Sequence, residues 1–396
     1  MDKEIFLKAA KEFGTPLYLY DLRVIKKRLE MVERTLKNVE HKIFFAFKSN
    51  SNPHLLEFVK SLGFGADVVS MNEYKMAKLV GFSPSNIVVN GNGKITDELK
   101  VYARDGVGCV NVDSSEEIQR FPDLSARIAI RINPDVDAKT HPYISTGLKK
   151  NKFGVNMESA SAIIRSLPSN LKLVGIHSHI GSQITDISTF VDAFKSLKSF
   201  IDKESLKLEF VNIGGGWGID YSHKGEGLNL QDYQEKVVPI LKSFGVPIHL
   251  ELGRFIVGPA GYLVTRVLEL KRTTSKNFVI VDTSMSDLIR PSLYGAHHHI
   301  EFFPDGSEEI VADVVGRVCE TGDTLGKNRK IFKPEIGDLG VIYNVGAYGY
   351  AMSSNYNLSL RPAEVAFDGR NLKLIRRRET LEDIVKLCDF SKNSKQ

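Results

Sequence analysis

Eight short apolar runs, each followed by a turn and an amphipathic stretch, recur between residues 43 and 250, and they constrain the fold more than any other feature. The runs are Ile43–Phe47, Ala66–Val69, Ile87–Val89, Gly108–Asn111, Ile128–Ile132, Leu173–His177, Phe210–Ile213 and Ile248–Leu250. Helical periodicity fills segments between them, as in Pro53–Leu62, Asn72–Val80, Ser115–Phe121 and Ile187–Lys203. Strands alternating with helices make either a closed (β/α)8 barrel or an open doubly wound sheet. Eight units in about 210 residues come near the ~250 of a barrel. After Arg254 the texture changes. Tyr262–Lys271, Asn277–Thr283, Ile310–Val315, Leu339–Asn344, Glu364–Asp368 and Asn371–Arg376 read as strands, and residues 368–371 as a hairpin turn. The expected fold is therefore α/β: a TIM barrel over 25–255, then a β-rich domain over 256–388 and a frayed tail over 389–396. The N-terminal segment 1–24 holds an amphipathic helix and a strand-like run, Pro16–Tyr20, that packs with the β domain.

Composition removes several classes of function. With 53 Lys and Arg against 48 Asp and Glu, the 396-residue chain carries a net charge of only +5, and the charges are interspersed. That is no nucleic-acid footprint. The densest basic run, Arg376-Arg377-Arg378, reads as a solvated strand end. Cys109, Cys319 and Cys388 make no CxxC pair, which speaks against a disulfide framework or a zinc knuckle and fits a reducing cytoplasm. No apolar run approaches the ~18 residues of a membrane span.

A barrel of this kind gathers function at the C-terminal ends of its strands. Nearly every run here ends in polar or glycine-rich residues. Lys48 follows apolar residues. Partial desolvation at a barrel mouth lowers an amine's pKa and suits Schiff-base chemistry, although taken alone Lys48 reads as a snorkelling surface lysine. Gly214-Gly215-Gly216 offers bare backbone N–H groups to a phosphate, or makes a tight turn. It is not a GxGxxG fingerprint, because the last position falls on Ile219. His179 reads as a stacking or acid–base group or as a core histidine, and Ser182 beside it adds a hydroxyl for a phosphate. Glu251 and Arg254 form an ion pair, or they hold a protonated ring nitrogen and an anion. Cys319 is a proton donor if exposed and a small core residue otherwise. Gly346–Tyr350 is a binding loop or a plain turn. His297-His298-His299 lacks the spacing of a metal site.

Taken together, these motifs resemble the fold-type III pyridoxal-phosphate decarboxylases, from Gly14-Thr15-Pro16-Leu17-Tyr18 to Arg378-Glu379-Thr380. The resemblance implies that Lys48, in Phe-Ala-Phe-Lys-Ser-Asn, carries pyridoxal 5'-phosphate. It places His179 on the pyridine ring and Glu251 at the ring nitrogen. Ser182, Gly216, Gly253 and Arg254 would surround the phosphate. Asp67 and Glu73 would form the acidic pair behind lysine and histidine, and Arg131 the inner-barrel arginine. Cys319 and Glu320, in Cys-Glu-Thr-Gly-Asp, would come from the partner subunit of a homodimer, or of a higher oligomer. Arg290 and Tyr294, in Arg-Pro-Ser-Leu-Tyr, would bind substrate with Arg254, Glu320 and Tyr348, and Tyr348 would also contact the cofactor. The racemase relatives place an arginine where this chain has Glu251. Both Cys-Glu-Thr-Gly-Asp and Arg-Pro-Ser-Leu-Tyr match the branch acting on meso-2,6-diaminopimelate, with L-lysine and CO2 as products. Ornithine, lysine or arginine decarboxylation is the alternative. Departures are small: Leu252 stands where the family often has proline, and Thr321 where it often has serine. A lid is expected near Lys149–Lys152, and no metal, membrane or nucleic-acid partner.

Overall fold

The computed structural model describes residues 1–121, 123–136, 153–304 and 306–389. The expected lid near 149–152 and all but the first residue of the 389–396 tail lie outside them. The chain divides into two compact units, Val24–Gly258 and Met1–Arg23 with Pro259–Gln396. In chain order, β1 (Leu17–Asp21) belongs to the latter. The former contains β2 (His41–Ala46), β3 (Gly65–Val68), β4 (Ile87–Val89), β5 (Cys109–Val112), β6 (Ala126–Arg131), β7 (Leu171–His177), β8 (Phe210–Asn212) and β9 (Ile248–Leu252). These eight strands close into a barrel, parallel at every junction, with β2 on β9 sealing it. Each apolar run coincides with one barrel strand, so the closed sheet prevails over the open one.

Six of the intervening helices begin on polar caps. Asn52, Ser70, Ser114, Asn156, Asp186 and Asn229 each accept a hydrogen bond from a first-turn backbone N–H. A capping side chain satisfies a donor that the helix leaves without a partner, which stops the strand and starts the helix at a defined residue.

The barrel interior is built in layers. Phe44, Val88, Cys109, Ala129, Val174 and Phe210, from six strands, form one buried cluster. Two glycines make room for its rings. A Cβ on Gly65 would overlap the Phe44 ring, and one on Gly175 would lie 2.5 Å from the Phe210 ring. His249 stacks on Phe210 with ring centroids 3.9 Å apart. Two residues further along seven of the strands the side chain is polar: Asp67, Asn90, Asn111, Arg131, His177, Asn212 and Glu251, all buried. Because strand side chains repeat with period two, the polar set shares the inward face and caps the apolar layer at the C-terminal rim.

The second unit is a mixed sheet. Its further strands are β10 (Gly261–Arg272), β11 (Asn277–Val281), β12 (Ile300–Phe302), β13 (Glu309–Val315), β14 (Thr324–Phe332), β15 (Leu339–Tyr343), β16 (Ala363–Phe367) and β17 (Leu372–Arg376). The order is β14-β13-β11-β10-β1-β16-β17, with β15 on β10 and β12 on β15. The N-terminal strand therefore joins this sheet, between β10 and β16. Phe6, Ala9 and Ala10 of the Lys3–Phe13 helix pack against Leu17, Leu19 and Tyr262 of that sheet. The hairpin turn forms as expected: Asp368 Oδ1 accepts the N–H groups of Arg370 and Asn371, both at 2.7 Å. Strands β12 and β14 were not anticipated. The former is three residues long, and the latter carries Lys327, Arg329 and Lys330 along a sheet edge, a composition that protects edges but hides strands. The arginine run differs from the solvated end expected of it. Arg376 bonds the buried Glu364, and Arg378 donates to the Pro16 carbonyl at 2.7 Å.

Truncating Phe210 leaves a cavity that Gly175 cannot fill. Phe210→Ala should cost about 3 kcal/mol of unfolding free energy, read from denaturant melts; a loss below ~1 kcal/mol would contradict this packing.

Candidate active site

Lys48 sits in a single 3-10 turn, Phe47–Ser49, directly after β2. Its Nζ lies 2.7 Å from Asp67 Oδ2 at the end of β3. Asp67 is fully buried and the Lys48 side chain is 36% exposed. Burial pushes the Asp67 carboxyl above its ordinary value, and the Lys48 charge opposes that shift. The resemblance sets Asp67 behind this lysine, and here the carboxylate favours the ammonium form, against the lowering that desolvation alone would give. Behind Asp67, Glu73 Oε2 accepts the Val69 N–H at 2.8 Å.

The centre of the rim belongs to Glu251. Its Oε1 accepts amide N–H groups from Asn90 at 2.8 Å, Asn111 at 3.2 Å and Asn212 at 2.8 Å. Its Oε2 faces His177 Nε2 at 3.1 Å. Burial alone would raise this pKa. His177, Lys48 and Asn90 overcome that effect and hold the carboxyl below the usual range, so Glu251 is an anion. Asn90, Asn111, Asn212 and His177 were not singled out in the sequence. The signal that finds them is the polar residue two places after the inward apolar one on β4, β5, β7 and β8.

The loops after β7 and β8 meet at the glycine run. Gly214 and Gly216 have φ of +65° and +91°, where a side chain is strained. Between them, a Cβ on Gly215 would overlap the Glu251 carbonyl oxygen. The Gly215 N–H donates to His179 Nδ1 at 3.2 Å. Burial, then the Arg131 and Lys48 charges, push the His179 pKa down, so the half-buried ring is neutral. Ser182 Oγ accepts from Arg254 Nη2 at 2.9 Å, and Arg254 Nη1 donates to Tyr221 OH at 2.6 Å. Gly253 is glycine because a Cβ there would lie 2.6 Å from Ser49 Oγ. Arg131 faces Asp113 at 3.7 Å and stacks its guanidinium 4.7 Å over Phe153.

The remaining candidates lie in the β-rich unit. Arg290 is buried, and its Nη1 donates to His298 Nε2 at 2.8 Å. His298 Nδ1 donates in turn to the Tyr343 carbonyl at 2.9 Å, which sets the tautomer. The middle histidine of the triplet therefore supports an arginine. Tyr294 ends the same short helix, Arg290–Tyr294, and is half-buried. Asp323 shapes the Cys-Glu-Thr-Gly-Asp loop by accepting the N–H groups of Met285 at 2.6 Å and Val318 at 2.8 Å. The folded loop exposes Cys319 and Glu320. Ser292 Oγ ties the helix to the loop through the Gly322 carbonyl at 2.6 Å, beside a cleft of about 440 Å³. Tyr348 has φ of +58°, an unfavourable conformation for a bulky residue.

The barrel rim suits pyridoxal 5'-phosphate on chemical grounds. It offers an amine for the aldehyde, an ionised carboxylate for a ring nitrogen, and bare N–H groups with an arginine for a phosphate. Fold and rim together define a pyridoxal-phosphate-dependent decarboxylase barrel. Residues 22–258 match the family model "Pyridoxal-dependent decarboxylase, pyridoxal binding domain". The chain is 42% identical to the diaminopimelate decarboxylase of Aquifex aeolicus, over 97% of this chain and 95% of that one. It is 42% identical to the Neisseria meningitidis serogroup A protein of that name, over 95% of each. The crystal structure of the Helicobacter pylori diaminopimelate decarboxylase complexed with L-lysine superposes with a TM-score of 0.91 at 37% identity, covering 96% of this chain and 98% of that one. The chain belongs to the diaminopimelate decarboxylase family.

Burial pushes the Glu73 carboxyl up to about 7 from its ordinary 4.5. The folded state thus holds this proton more tightly than the unfolded chain, and Glu73 removes stability as pH rises between those values. Glu73→Gln should raise Tm relative to wild type more at pH 8 than at pH 5. Equal differences at both values would contradict the assignment.

Proposed function

We propose that the chain decarboxylates meso-2,6-diaminopimelate to L-lysine and CO2, using pyridoxal 5'-phosphate held at the C-terminal rim of the barrel. The observation that carries this reading is one rim combining the Lys48–Asp67 pair, the amide-held Glu251 and the Ser182–Arg254 pair beside the glycine run. The chemistry supplied by the bound cofactor is an electron sink for the pair left on the α-carbon when CO2 departs.

The residues divide the remaining work. Lys48 would hold the cofactor through its side-chain amine. Asp67 stabilises positive charge at the lysine nitrogen. Glu251 keeps a proton on the ring nitrogen, which deepens the sink. His179, neutral, stacks on the ring without adding charge. Gly216, Gly253, Ser182 and Arg254 bind phosphate through N–H groups, hydroxyl and guanidinium. Cys319, exposed on its loop, returns a proton to the α-carbon.

Substrate choice rests on charge. The distal end of diaminopimelate is itself an amino acid, with one carboxylate and one ammonium. Arg290, held by His298, supplies a buried cation for the carboxylate, and Glu320 an anion for the ammonium; Arg254, Tyr294 and Tyr348 add further contacts. A diamine-forming enzyme needs no such arginine, so the Arg290–His298 pair favours diaminopimelate over ornithine, lysine or arginine. The working form is a cytoplasmic homodimer in which the Cys319–Glu320 loop of one subunit serves the barrel of the other.

The purified protein should show a cofactor absorption band and form lysine, and Lys48→Ala should lose both. A variant that keeps covalently bound cofactor would place the attachment elsewhere. Mixing Lys48→Ala with Cys319→Ala subunits should restore about a quarter of wild-type activity, since half of randomly exchanged dimers then hold one complete site. No recovery after proven exchange would overturn site sharing.

A further inference from the structure

Asn90 touches both carboxylates on which the proposed chemistry depends. Its Nδ2 lies 2.7 Å from Asp67 Oδ1 and 2.8 Å from Glu251 Oε1. Its Oδ1 accepts from Asn111 Nδ2 at 2.8 Å, and this bond fixes which end of the amide faces the acids. All four side chains are buried, with Asn90 5% exposed.

Two buried carboxylates near one another tend to share a proton, because each raises the pKa of the other. The side chain between them therefore decides their charge. A cation there would pair with the acids and compete with Lys48. Aspartate would add a third negative charge, and an apolar residue would leave two buried acceptors short of a donor. A primary amide has two N–H groups and no charge, and it gives one to each acid. It leaves Asp67 Oδ2 to Lys48 and Glu251 Oε2 to His177.

We infer that Asn90 is a positioning residue that keeps Asp67 and Glu251 both ionised, the first serving the lysine nitrogen and the second the ring nitrogen of the cofactor. This rests on the cofactor assignment above. Asn111 and Asn212 complete the support of Glu251, whereas Asn90 couples it to Asp67.

The test uses Asn90→Leu, which keeps the branched outline and removes both N–H groups, and Asn90→Ser, which is small enough to fold and keeps one donor. Two quantities are read without substrate: the dissociation constant for pyridoxal 5'-phosphate, and the pH midpoint of the bound cofactor's absorption band. The charged and titratable groups acting on these two acids are Lys48, Glu73, Cys109, Arg131, His177, His179 and His249, besides Asp67 and Glu251 themselves. None of them is altered in either variant. Asn90→Leu should weaken binding at least about tenfold, from the loss of two charge-assisted hydrogen bonds. Its pH midpoint should fall, because a proton shared by the two acids removes negative charge near the lysine nitrogen. Asn90→Ser should move both quantities in the same direction by less. Variants that bind within about twofold of wild type at an unchanged midpoint would overturn the inference. Weaker binding with no midpoint shift would also overturn it, assigning Asn90 to packing. Wild-type protein that takes up no cofactor would overturn the reading beneath it instead.

Discussion

An anion buried inside a closed barrel is costly unless donors surround it, and Glu251 is such an anion. Its four partners come from four separate strands: Asn90 after β4, Asn111 on β5, His177 on β7 and Asn212 on β8. They converge because each stands two residues beyond the inward-facing apolar layer. A one-residue slip of any of these strands would turn its donor towards the helices and leave a buried carboxylate oxygen short of a partner. Barrel register and charge at the rim are thus one constraint. The apolar layer beneath, with Phe44 and Phe210 seated over Gly65 and Gly175, fixes the height at which the polar layer sits.

The two units carry different parts of the proposed chemistry. The barrel unit supplies groups for a planar, phosphorylated, electron-accepting ring. The β-rich unit supplies groups for choosing a substrate and returning a proton, and here local devices set each side chain. His298 holds Arg290, Asp323 folds the Cys319 loop, and Tyr348 keeps an unfavourable backbone conformation. Strained residues of this kind persist where the surrounding structure holds them, and they gather at functional sites.

Much of this was legible in the sequence, for physical reasons. The barrel strands are short apolar runs, each followed by a turn, and all eight were found. Lys48, Glu251 and the glycine run stood out because they end strands. The asparagines did not. An amide at a strand end looks like any turn residue until the period-two offset from Val88, Cys109 and Phe210 is noticed. The Lys48–Asp67 pair was legible only through the family resemblance, because Asp67 is distant in sequence and meets the lysine through β2–β3 pairing. Arg376 was misread as solvated because its partner Glu364 lies on the neighbouring strand. In the β-rich unit the residues alone left Cys319 and the Gly346–Tyr350 loop open between a functional and a structural reading and gave no sign of Arg290; the family resemblance assigned their roles. Strands β12 and β14 escaped because one is short and the other has a charged edge.

The central proposal is that the chain acts on an amino acid with a second amino-acid end. The most direct measurement offers the purified protein, with pyridoxal 5'-phosphate, equal concentrations of meso-diaminopimelate, L-ornithine, L-lysine and L-arginine in separate reactions, and follows CO2 and amine products. The account predicts equal amounts of CO2 and L-lysine from meso-diaminopimelate, and no diamine above background from the other three. Diamine formation from ornithine, lysine or arginine, with no lysine from meso-diaminopimelate, would contradict it.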